Sequence, residues 1–253
     1  MEGGTTIKIE QTTASIVSEI WAKLEPGVKQ AKCLEEAAQE LATALHKQFY
    51  ESVVLARVYV TAPFDTMPPS NKIFVQNLAE SAGARSDLKA TTPVLSLIGT
   101  YGLEEDWRDR HNSKGHVGIP LISSAFVGAI PMISRLLHEL GVPMDWLDTH
   151  ETEIIVKRVG REAGLFYVEN AAKATDHKGR NIIPAHDFVF DYDVKSVFGI
   201  GGAYTQGQVF TMVAFCRDVF PRDVAERFVP LANSFQGRTN DFVENKKIFS
   251  EGQ

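Results

Sequence analysis

The chain has 253 residues, 44% hydrophobic and 23% charged, with a net charge of −6 and a pI near 5.7. These are values of a globular chain that buries a sizeable core, with disorder expected only at its ends. The acidic balance and the lack of a Lys/Arg stripe argue against a grip on nucleic acid or on an anionic membrane surface.

Residues 1–13 are polar and rich in Gly and Thr, a frayed lead-in without the apolar core of a signal peptide. Ala14 to Leu24 carries a short helical pattern, punctuated by Pro26 and Gly27. From Lys32 to Phe49, Leu34, Ala38, Leu41, Leu45 and Phe49 form one apolar stripe, which predicts an amphipathic helix. SVVLARVYVT, Ser52 to Thr61, reads as a strand ending at Pro63. A helix is predicted over Asn71 to Ala82, closed by Gly83, and a second strand over Thr92 to Thr100.

The stretch from Tyr101 to Leu121 is irregular and dense in Trp, Arg, His, Asp and Gly. Beyond it, Pro131 and Gly141 bracket a helix with the stripe Ile133, Leu136, Leu137 and Leu140. The last third reads as strands: Gly164 to Val168, Asp187 to Tyr192, and a hairpin of Val194 to Tyr204 with Gln208 to Cys216. Pro221 opens a final helix carrying Val224, Phe228, Leu231 and Phe235, and a polar tail follows Gly237. Hairpin-linked strands predict an α/β (α+β) fold with a central antiparallel sheet flanked by helices. We divide the chain into an N-terminal extension (1–30), one main domain (31–237) and a polar tail (238–253).

Five segments carry a resemblance: ARVYVTAPFDTMPP, WRDRHNSKGHVGIPL, PMISRLLHELG, LFYVENA and KSVFGIGGAYTQGQVFTMVAF. Together with the element order they resemble a GAF/PAS-like domain, and more narrowly the N-terminal sensory regions of bacterial sensor histidine kinases and related multidomain signalling proteins. The resemblance runs from about residue 50 to 235. It implies a cytoplasmic signal-sensing module that binds a small molecule between its sheet and the irregular 101–150 region, and that pairs as a homodimer through terminal helices, with the downstream signalling partner unknown. Such regions continue into PAS, kinase or cyclase modules; only a short tail follows Gln236, so the chain stands alone or is an excised piece. The other readings are a dimerisation or interaction domain with a closed core, and an enzyme of unidentified reaction.

The candidate ligand-binding residues are Trp107, Arg110, Ser113 and His116. Arg offers a planar fork for carboxylate or phosphate, Trp a ring face, and His a group titrating near neutrality. The plainer alternative is a solvated loop anchored by Trp107, with its arginines paired to Glu104, Glu105, Asp106 and Asp109. No cofactor, metal ligand or catalytic residue is assigned. His111 and His116 lack a metal-binding carboxylate, HELGV is not HExxH, and no GxSxG elbow occurs. Cys33 and Cys216 are far apart and read as buried thiols, which fits a reducing compartment. Cys216 has no adjacent His of the kind that bilin-attaching domains use. Gly199, Gly201 and Gly202 sit inside a strand pattern, which predicts a bulge or bend rather than a phosphate loop. Asp187, Asp191 and Asp193 are expected to share one wet strand face.

Overall fold

The structure, a computed structural model, describes residues 7–149 and 163–250. Residues 1–6 of the lead-in and His150 lie outside the described residues. The strands are β1 (Val53–Pro63), β2 (Pro93–Gly102), β3 (Gly118–Pro120), β4 (Gly164–Val168), β5 (Ser196–Ala203) and β6 (Val209–Cys216). They form one six-stranded sheet in the order β3-β2-β1-β6-β5-β4, each neighbouring pair antiparallel. Each face of the sheet carries its own apolar layer.

On the first face lie α1 (Ala14–Gln30), α2 (Leu34–Gln48), α8 (Arg222–Glu226) and α9 (Val229–Glu244), whose labels continue the chain order of the helices below. The α2 stripe is buried as its spacing predicts. It approaches β2 so closely that a Cβ at Gly99 would lie 2.5 Å from the Ala38 backbone, so only glycine fits there. The other face carries α5 (Pro131–Glu139), flanked by α4 (Ser124–Gly128) and α6 (Trp146–Thr149), and later α7 (His186–Asp191). Gly141, at φ 79°, ends α5 in the left-handed conformation expected of a helix stop. α3 (Pro69–Ser81) packs beside β3 at the sheet edge.

Several expectations change. α1 runs through Pro26 to Gln30, because Pro26 and Ala22, whose carbonyl loses its donor, are both on the exposed side while Leu24 and Val28 are buried. Its buried residues Val17, Ile20, Leu24 and Val28 join the same core layer as α2. DFVFDY is helical rather than a strand: Val189 N–H donates to Ala185 O, Val189 is buried, and Phe190 is 87% exposed. Asp187, Asp191 and Asp193 therefore share no strand face. The closing helix breaks after Glu226, and its second part passes Gly237 to reach Glu244. Thr239, Val243 and Ile248 are buried, so the stretch read as a polar tail packs onto the core. β5 keeps an unbroken register with β6, so its glycines form no bulge; a Cβ at Gly201 would lie 2.1 Å from Phe210 O.

Candidate ligand cavity

β1 is a central strand, and alternation divides its side chains between the two layers. Ala56, Val58 and Val60 enter the first layer, Leu55 and Tyr59 the second. Arg57 lies between Leu55 and Tyr59 in sequence, opposite Thr100 of β2 and Val213 of β6, and it is only 9% exposed. A cavity of about 240 Å³ lies over it. Arg57, Tyr59 and Val213 contribute to the floor, Ile133 and Leu136 of α5 to the roof, and Trp107, His116 and Phe188 to the rim. Ile183 to Ala185 closes one side. In the loop before that segment, Arg180 donates to Asp176 and to Gly128 O. Although burial works to raise the Asp176 carboxyl, hydrogen bonds from Arg180 and Lys178 lower it to about 2.

The guanidinium of Arg57 donates from Nη1 to Gly115 O at 3.0 Å and from Nη2 to Ser113 Oγ at 3.0 Å. Nη1 also lies 3.5 Å from Tyr59 OH. Nε is buried and has no hydrogen-bond partner among the described residues, and no described carboxylate pairs with Arg57. Besides Arg57, the described lining side chains with polar atoms are Tyr59, Trp107 and His116; the rest are apolar.

His116 has φ 57°, the left-handed region that a side chain enters only when its surroundings impose it. Arg57 donates to the preceding Gly115 carbonyl. His116 as a whole is exposed, while protein atoms pack around its imidazole. That enclosure, with the Arg57 charge beside it, lowers its pKa and keeps it neutral at pH 7. At the rim Trp107 packs on Tyr192 and Phe188, with ring centroids 4.7 and 5.7 Å apart.

Of the four residues singled out from sequence, the structure brings Trp107 and His116 to the cavity. Ser113 stands behind it as an acceptor for Arg57. Arg110 is elsewhere, 4% exposed, with Nε 2.7 Å from Glu35 Oε1 and Nη2 2.7 Å from Glu35 Oε2. Its partner is thus a helix residue 75 positions away rather than one of the neighbouring acids. Sequence reasoning passed over Arg57, although a lone charge within an otherwise apolar strand, VVLARVYV, was the available signal.

Both cysteines lie away from the cavity: Cys216 is buried in the first layer, and Cys33 precedes α2. Among the described residues no group of three His, Cys, Asp or Glu is placed to hold a metal, and no helix is long and apolar enough to cross a membrane.

The element order and the six-stranded antiparallel sheet with helices on both faces give a fold of mixed α/β class. Solved structures with a similar arrangement include free methionine-R-sulfoxide reductase from Neisseria meningitidis in complex with its substrate, at 12% identity and TM-score 0.49, covering 95% of this chain and 98% of that one. The GAF domain of an Acinetobacter phosphoenolpyruvate-protein phosphotransferase is also 12% identical, at TM-score 0.47, covering 92% and 98%. The phycoerythrobilin-bound GAF domain of a cyanobacterial phytochrome is 10% identical, at TM-score 0.46, covering 90% and 97%. No family model matches the chain, and no curated protein matches it.

Proposed function

We propose that this chain is a small-molecule-binding sensory module of a bacterial signalling protein, working in the cytoplasm without turning its ligand over. The observation that carries this reading is the cavity over Arg57, apolar except for a few converging polar groups, which is the usual make-up of a ligand site. The free, buried cysteines suit a reducing compartment. The apolar stripes of α2 and of α8–α9 are spent on the chain's own core, so pairing with a second copy would use other surfaces.

The test is a small-molecule panel read by thermal shift, together with mass spectrometry of compounds released on denaturation. Saturable stabilisation is expected from ligands of on the order of ten non-hydrogen atoms. Val213→Phe, which fills the cavity floor, should abolish that response while remaining folded. No saturable ligand, or an unchanged response in Val213→Phe, would overturn the reading.

A further inference from the structure

We propose that the ligand of this cavity is a small organic carboxylate with an apolar body, whose head sits against the guanidinium of Arg57; this rests on the cavity being a ligand site. A buried charge without a counter-charge costs several kcal/mol, and folded chains rarely keep one unless something else supplies the opposite sign. The described protein gives Arg57 only neutral acceptors, the Gly115 carbonyl, the Ser113 hydroxyl and the Tyr59 hydroxyl. Arginine carries five N–H hydrogens. Two contacts occupy Nη1 and one occupies Nη2, which leaves Nε–H and one Nη2–H. A carboxylate in the cavity can accept from the spare Nη2–H and set its charge against the guanidinium, while Nε–H stays enclosed by protein atoms.

The rest of the wall fixes the remainder of the ligand. Ile133, Leu136 and Val213 offer nothing to a polar chain, so the body must be apolar. Trp107 and Phe188 at the rim suit its far end. His116, held neutral, adds a hydrogen-bonding group without adding charge, so the cavity calls for one negative charge rather than two. At about 30 Å³ for each water displaced, 240 Å³ corresponds to about eight waters. Covalently joined atoms pack more closely, so the body and head together have about ten non-hydrogen atoms.

Octanoate and octanamide match that size and differ in the charge of the head. Titration calorimetry on the whole chain should show one octanoate bound per chain, with octanamide weaker on the order of 10-fold to 100-fold. Arg57→Gln should remove that preference by weakening octanoate alone. Should Arg57→Gln fail to fold, the ratio measured on the unaltered protein still decides. Octanamide binding as tightly as octanoate would overturn the anionic head and leave the ligand cavity standing. Binding of neither, with the wider panel also silent, would remove both.

Discussion

Among the described residues Arg57 and Arg110 are nearly inaccessible to solvent; Arg57 meets neutral acceptors and Arg110 a carboxylate. Arg110 meets the Glu35 carboxylate with both arms, and Ser250 donates to the same carboxylate from its backbone N–H. Breaking such a buried pair by removing one partner costs about 3–5 kcal/mol, because the other charge is stranded. For a chain of this length Arg110→Ala should lower Tm by on the order of 10 °C. His116→Ala, at the cavity rim, should melt within a few degrees of the parent; equal losses in the two variants would erase the distinction. His46 adds a pH dependence. It is 6% exposed, its Nε2 has no hydrogen-bond partner among the described residues, and it packs 5.1 Å from the Tyr101 ring. Burial, followed by the charges of Arg108 and Lys47, lowers its pKa from 6.5 to about 4. The unfolded chain therefore binds this proton first as pH falls. The contribution of His46 is intact above about pH 6.5 and is lost progressively towards pH 4, up to about 3 kcal/mol. Urea midpoints should fall between pH 7 and pH 4.5 in the parent and fall less in His46→Leu; parallel slopes would exclude this histidine.

Elements with one repeating pattern were legible in the chain, and those set by tertiary contact were not. The stripes of α2 and α5 and the β5–β6 hairpin lie close to where periodicity places them, because each buries one face and nothing local opposes it. α7 misled because Phe188 and Phe190 sit two apart, as in a strand, while only Phe188 packs inward, against Phe215 at the rim. α9 misled because Gly237 resembles a stop signal, yet it lies mid-helix with open space around it, and the helix continues because Thr239 and Val243 have a core to enter. At the site, residue type alone pointed to the 107–116 segment, and the fold sorted its members. Gln39 of α2 grips the Thr100 backbone and Arg108 O, which fixes that segment on β2 with Trp107 turned to the cavity and Arg110 away from it. No local pattern encodes a clamp reaching across more than 60 residues.

At the scale of the whole molecule the sheet separates two jobs. The layer of α1, α2 and α9 is large and continuous, and it secures the fold. The opposite layer leaves room for a cavity beneath short helices and irregular segments. The chain's last described residues close over the start of α2: Leu34 N–H donates to Lys247 O and Glu35 N–H to Ile248 O, both at 2.9 Å. Amides in a helix's first turn have no acceptor within their own helix. Their protection from deuterium exchange thus comes from a segment more than 200 residues downstream. A chain ended after Glu244 should exchange the Leu34 and Glu35 amides quickly while Leu41 and Leu45, deep in the same helix, stay slow. Continued protection at positions 34 and 35 would mean that the seam is not what shields them. In the intact protein those two amides become a built-in gauge of whether the C-terminal segment is docked, read at the other end of the sequence.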